Sequence, residues 1–353
     1  MDSVEQVTRT AVTVRAATAS DAAAWDAFVA GSEEGTFFHR FAWGPVIEES
    51  FGHPAHPLLA ERGGRITAVL PLVHKRSRLF GDQLISNAFC SYGGVAAADE
   101  ASRHALEEAA VALGERLDVG SVEFRNLRPR RHDWHAKRET YARFRRAIPG
   151  DEAAIIKAVS SKGRRHELKK SLKQGLRFER HDDVATFHDV LAESYRNLGT
   201  PIYAKRYFQN LLAAFGEALE VSVVSGPDGA MAATMAFFDK GDVHPYYTGG
   251  RAAARQCQAN DFLFLRLMLR GLERGCPMFD FGRSKFGTGS FDYKGHWGFK
   301  PEALNYEYKL VRDAAPPDLN PLNPKYRLMI AAWKRLPLWL SKRLGPPIVG
   351  QVG

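Results

Sequence analysis

Apolar and polar positions along the chain fall into two echoing blocks. Residues 57–75, PLLAERGGRITAVLPLVHK, set apolar runs on either side of Gly63-Gly64, the pattern of strand, turn, strand. Residues 219–240, LEVSVVSGPDGAMAATMAFFDK, repeat it around Pro227-Asp228-Gly229. The echo then lengthens. SYGGVAAADEASRHALEEAAVALGERLDVGSVEF (91–124) matches YYTGGRAAARQCQANDFLFLRLMLRGLERGCPMF (246–279): aromatic, glycine pair, alanine run, helical pattern, glycine, short strand ending in Phe. Matching glycines lie about 155 residues apart, the mark of an internal duplication. Each half predicts β-β-β-α-β, so the expected fold class is α/β, mixed sheets flanked by helices.

The helix over 260–274 is the plainest element. Arg266, Arg270, Glu273 and Arg274 share one face and the rest is apolar; Asn260 or Asp261 is the expected N-cap, and Gly275 the stop. A helix entered from a strand through a glycine-bearing loop presents free N–H groups to an anion. Between the halves, SSKGRRHELKKSLKQGLRFE (160–179) predicts a basic helix with Lys162, Arg164, Arg165, Lys169, Lys170 and Lys173, ended by Gly175. ALNYEYKL (303–310) predicts a tyrosine-rich strand of the second half. The expected domains are 1–150, 151–312 and a basic, apolar tail at 313–353.

Composition narrows the class of protein. The chain has 353 residues, 45% of them hydrophobic, enough for two cores. A net charge of +9 favours polyanionic company: nucleic acid, a phosphorylated carrier or an anionic membrane surface. Cys90, Cys257 and Cys276 show no paired spacing, so neither a zinc ribbon nor a disulfide framework is expected. His132 and His135 form H-x-x-H without a carboxylate at ligand spacing, and no metal is expected. The unpaired cysteines suit a reducing cytoplasm; the N-terminal residues lack the apolar core of a leader and no run approaches a spanning helix, so a soluble or peripheral chain is expected. Within 320–349, Trp333, Trp339 and leucines alternate with Lys334, Arg335, Lys342 and Arg343, a composition suited to peripheral contact with the inner membrane or to ordinary packing.

The candidate chemistry sits in FDFGRSKFGTGSFDYKGHWGF (279–299), read as a short apolar strand opening into a cationic, glycine-rich loop. Gly282 to Gly287 has the Walker A spacing, but Thr288 stands where the lysine is needed; Asp292 takes the third glycine of a dinucleotide fingerprint. The anion-binding candidates are Arg283, Ser284, Lys285, Gly287 and Thr288, with Trp297 closing the stretch. By alternation Asp280 faces away from Phe279 and Phe281, toward a cleft beside Arg283, as the orienting partner of a cation. Tyr246 and Tyr247 precede Gly249-Gly250 at the end of a strand expected to split from its neighbour, one of them facing the cleft. Asn260 and Asp261 complete the set, as caps or as substrate contacts.

This stretch, the ANDFLFLRLM helix before it and GRRHELKKSLKQGL together resemble the FemAB-like acyltransferases, specifically the branch associated with exosortase, PEP-CTERM and exopolysaccharide clusters. The resemblance covers most of the chain. It implies tandem domains of the GCN5-related N-acetyltransferase type and transfer of an activated acyl group to an amine. It also implies that Lys294, in FDYKGHWGF, matches the family's catalytic lysine, with Tyr293 in place of Phe. Acyl-CoA and aminoacyl-tRNA remain alternative donors, neither expected to be bound tightly. The pyrophosphate signature [QR]-x-x-G-x-[GA] is absent from RAAARQCQAND, and no heptad insertion is present. The acceptor implied is an amine on a saccharide or lipid-linked intermediate. The competing class is a degenerate, non-catalytic transferase that docks on membrane or polymer.

Overall fold

A computed structural model describes residues 11–77, 81–317 and 324–352. The N-terminal ten residues and the first part of the tail, 320–323, lie outside the described residues, and so do the expectations placed on them.

The chain divides into two compact units. The first holds β1 (Thr13–Ala16), α1 (Ala22–Gly31), α2 (Trp43–Phe51), β2 (Leu58–Arg62), β3 (Arg65–Leu70), β4 (Leu72–Ser77), β5 (Gly81–Ser86), β6 (Ala96–Ala97), α3 (Glu100–Arg116), β7 (Ser121–Asn126) and, at its edge, β8 (His135–Lys137). The glycine pair at 63–64, both with φ near +60 to +75°, closes the β2–β3 hairpin as the sequence predicts. The first half carries more than the expected three strands: β5 follows β4 and pairs in parallel with β7, Gln83 opposite Ser121 and Leu84 opposite Val122, with α3 in the connection. Leu84, Leu106, Ala110, Val122 and Phe124 are fully buried between that helix and the strands.

The second unit contains β9 (Tyr141–Ala147), α4 (Glu152–Ala158), α5 (Lys162–Ser171), β10 (Arg177–His181), α6 (Ala185–Leu198), α7 (Lys205–Phe215), β11 (Leu219–Gly226), β12 (Gly229–Asp239), β13 (Asp242–Gly250), α8 (Ala259–Glu273), β14 (Met278–Lys285), α9 (Gly289–His296) and β15 (Pro301–Ala303). Its seven strands run β10-β11-β12-β13-β14-β9-β15. Here too a hairpin is followed by a parallel pair, β13 and β14, bridged by a helix, so the duplication read in the sequence is a duplication of topology. After β15 the chain forms β16 (Asn305–Leu310), then α10 (Pro324–Trp333) and α11 (Leu338–Val352).

Two boundaries differ from expectation. The second unit begins at Lys137 instead of 151, because β9 pairs antiparallel with β14 along most of its length. The tyrosine-rich strand β16 lies in the five-stranded sheet β4-β5-β7-β16-β8, and residues 306–316 count with the first unit. There Glu307, fully buried, accepts from Asn126 Nδ2 at 2.7 Å and from the Arg130 backbone N–H at 2.9 Å. Those bonds satisfy a carboxylate that would otherwise be costly to bury. The stretch 286–299 is also more ordered than an open loop. Residues 289–296 form α9, because Phe291 and Tyr293 pack on the core and outweigh the poor helix propensity of Gly289 and Gly295.

Candidate functional site

β13 and β14 pair in parallel at only two positions, Asp242 with Met278 and Val243 with Phe279. Beyond them β13 continues to pair with β12 as far as Gly250, while β14 pairs with β9. Past Val243 and Phe279, β13 and β14 therefore share no ladder pairs. Strands that part in this way can offer backbone hydrogen-bonding groups to a ligand.

The cause of the parting lies in β14. Its register with β9 shifts between Asp280 and Arg283, and Gly282 has φ +69°, a left-handed value that a residue with a side chain adopts at a cost. The bulge turns the carbonyls of Phe281, Gly282 and Arg283 to one side. Lys294 Nζ, from the last turn of α9, donates to all three, at 2.8, 3.2 and 3.0 Å. Three acceptors match the three N–H bonds of an ammonium. Burial opposes the charge, and it pushes the Lys294 pKa from 10.5 to about 7; Asp280 works in the other direction. This lysine therefore changes charge near neutrality.

Asp280 is fully buried and holds the bulge from the other side. It accepts from Arg143 Nε at 2.6 Å and from the Gly282 N–H at 2.8 Å. The cation it orients is Arg143 of β9, whereas Arg283, the expected partner, lies over the Tyr141 ring at 4.8 Å. Asp242, His244 and Asp280 bring their ligand atoms within 4.8 Å of one another. Arg145 meets Asp242 at 2.7 Å and Arg143 meets Asp280, so both carboxylates are already balanced by guanidiniums rather than poised for a dication. Burial lowers the His244 pKa and favours the neutral ring.

Asp261 is the second hub. Its carboxylate accepts from Tyr293 OH at 2.6 Å, Arg164 Nη1 at 2.8 Å and Trp297 Nε1 at 3.2 Å. It thereby ties α8, α5 and α9 together around the Lys294 helix. Burial, with the Asp261 carboxylate alongside, raises the Tyr293 pKa well above its usual value. The expected cap is corrected here: the N-cap of α8 is Gln258, in a left-handed conformation with φ +53°, and neither Asn260 nor Asp261 caps. Asn260 instead lies against Gly250, where a Cβ would come within 2.6 Å of its Oδ1. Arg164 also stacks over Tyr293 at 4.5 Å, so the basic helix is not solvated all round.

Residues 161–295 match the family model of the acetyltransferase (GNAT) domain. That span contains β13, α8, β14 and Lys294. Similar solved structures include FemX, 13% identical with a TM-score of 0.65, aligned over 90% of this chain and 100% of that one. The C-terminal domain of a putative lysylphosphatidylglycerol synthetase from Agrobacterium fabrum is 15% identical, TM-score 0.57, over 83% and 93%. A tandem GNAT protein from the clavulanic acid biosynthesis pathway is 11% identical, TM-score 0.54, over 87% and 100%. No curated protein matches the chain in sequence. The fold is thus tandem and GNAT-like, as the resemblance implied, and its doubling agrees with the internal repeat.

Against this GNAT-like frame the candidate residues divide. Lys294, Asp280, Arg283 and Ser284 gather along the β14 bulge. Ser284 Oγ and Asn260 Oδ1 are buried polar atoms with no hydrogen-bond partner among the described residues. Thr288 Oγ1 donates to Lys285 O at 2.7 Å and shapes the turn into α9, while Gly287, at φ +72°, supplies the left-handed step. Trp297 is fully buried in the core. Tyr247 is not brought to the opening: its hydroxyl meets that of Tyr207 at 2.7 Å, and its ring sits among Tyr203, Tyr207 and Phe208. Tyr246 is half-buried on the same strand. Sequence reasoning missed Arg143, Arg145, Asp242 and His244, whose only signal was alternating arginines in YARFRRA and a carboxylate opening β13.

Proposed function

We propose that the second unit transfers an acyl or aminoacyl group to an amino group on a cell-envelope or exopolysaccharide intermediate. One observation carries the reading: β13 loses its β14 partner beside a lysine cradled by three carbonyls of the β14 bulge. In such a transfer the amine nitrogen attacks the donor carbonyl, a C–N bond forms, and negative charge collects on the carbonyl oxygen. Backbone N–H groups at the point where β13 and β14 part are the candidate donors for that oxygen. Collapse breaks the carbonyl carbon's bond to the donor's sulfur or ribose oxygen, and the proton lost by the attacking nitrogen ends on that leaving atom. Lys294, titrating near 7, stands at the bulge as a charge that can be present or absent at working pH.

A donor carrying phosphates suits α8, which starts without a side-chain cap. Acyl-CoA and aminoacyl-tRNA both meet that requirement. The assay supplies acetyl-CoA or aminoacyl-tRNA with UDP-glucosamine as a probe acceptor and follows amide product by mass spectrometry. Lys294→Met is expected to turn over at least tenfold more slowly, on the order of the loss of one charge-stabilising donor. Equal rates for the variant would remove Lys294 from the chemistry, and no amide from either donor class would end the proposal.

A further inference from the structure

α10 and α11 are held to the second unit by one face each. Gly199, at the C-cap of α6, has φ +84°, and a Cβ there would come within 2.5 Å of Ile330 Cγ2, so α10 lies hard against that helix end. Arg196 Nη1 donates to Leu336 O at 3.1 Å and fixes the turn between the two helices. Lys342 Nζ meets Asp189 at 2.6 Å. Gly345 packs on the Ile202 backbone so closely that a Cβ would lie 2.7 Å from its carbonyl oxygen. Ser341, Gly345 and Val349 form the buried side of α11.

The opposite side is apolar and open. Leu328 is 83% exposed, Met329 and Trp339 66% each, and Leu344 and Ile348 are exposed as well. Leu198, 60% exposed at the end of α6, precedes Gly199 in the chain. These are six of the seven large hydrophobic side chains that the described residues leave exposed, the other being Leu172. A soluble surface scatters such residues singly, and their gathering marks a docking face. Exposed cations sit among them, Arg327, Arg335 and Arg343, whereas Lys334 reaches back over Gly199, its Cε 3.2 Å from where a Cβ would stand. Between Asp318 and Gly353 the sequence has six Lys and Arg and no Asp or Glu. A protein partner would have to match these cations with its own carboxylates. An anionic lipid surface supplies both the apolar depth and the phosphates in one layer.

We infer that α10 and α11 form a peripheral docking face for an anionic bilayer, with Leu328, Trp339, Leu344 and Ile348 entering the headgroup boundary and Arg327, Arg335 and Arg343 at the phosphates. Among the described residues no helix is long and apolar enough to cross a membrane, so the contact is a surface one. Helices lie this way when a cationic, apolar face is free and the other is occupied. The inference does not rest on the acyl-transfer reading, and its test uses no substrate.

The test is flotation of the full chain with vesicles of phosphatidylglycerol and phosphatidylcholine, and with phosphatidylcholine alone. Binding is expected to the anionic vesicles and to weaken as salt rises. Arg327→Gln, Arg335→Gln and Arg343→Gln combined should lower the partition coefficient by about a hundredfold, each cation near the surface contributing on the order of fivefold. Trp339→Ser, at an exposed position that leaves the buried face intact, should weaken binding at every salt concentration. Failure to float with either vesicle overturns the inference, as does equal binding by the triple variant. A dimer in sedimentation equilibrium that Trp339→Ser dissolves, with no vesicle binding, would assign the face to a second copy and overturn it too.

Discussion

Replacing Lys294 with Met separates the charge of this lysine from its hydrogen bonds. With a folded pKa of about 7 against an ordinary 10.5, the unfolded chain holds a proton that the native chain has shed at every pH between those values. Unfolding then takes up a proton, and native stability rises with pH through that window. At 1.36 kcal/mol per pK unit, the penalty for Lys294 is roughly 4 kcal/mol at pH 7 and falls to roughly 2 kcal/mol at pH 9. Below pH 7 it is nearly constant, since both states are protonated. The Met variant removes this penalty and also strands the carbonyls of Phe281, Gly282 and Arg283, but that second cost does not depend on pH. The stability of the parent minus that of the variant should therefore climb by about 2 kcal/mol from pH 7 to 9. Urea unfolding of both proteins at pH 7, 8 and 9 measures it, and other titrating groups cancel in the difference. A gap that stays level within about 0.5 kcal/mol would refute the reasoning, because the three carbonyls would then be holding the proton on against burial.

Arg143→Met leaves Asp280 buried without its guanidinium and should cost about 3 to 5 kcal/mol, read by calorimetry; a loss under about 1 kcal/mol would mean that the carboxylate finds another partner. Tyr247→Phe should cost about 1 kcal/mol, the price of its hydrogen bond to Tyr207, and leave turnover within about twofold. A tenfold drop in rate with unchanged stability would return Tyr247 to the chemistry.

Much of the architecture was legible because it repeats. The hairpin turns at 63–64 and 227–229 and the helix before Gly275 are written in local residue chemistry, and the second copy reinforces the first. What escaped was long-range. Nothing in YARFRRA says that β9 pairs with β14, some 137 residues away across the Arg143–Asp280 bond. So the cation beside Asp280 was sought nearby, at Arg283. The cap of α8 was misplaced because Asp261, a residue type favoured at caps, is consumed by Arg164, Tyr293 and Trp297 from other elements. The environment of Lys294 is not visible in the sequence: a left-handed glycine that turns three carbonyls one way leaves no mark beyond the glycine itself.

β16 is synthesised after every strand of the second unit, yet it belongs to the five-stranded sheet of β4, β5 and β7. A ribosome-bound chain cannot complete that sheet until residue 310 has left the tunnel, more than 180 residues after β7. Until then Asn126 waits for Glu307, and the sheet carries a raw margin open to chaperones or to a neighbouring nascent chain. A fragment cut at residue 150 would keep that margin permanently, and would also carry β9 with no sheet to join.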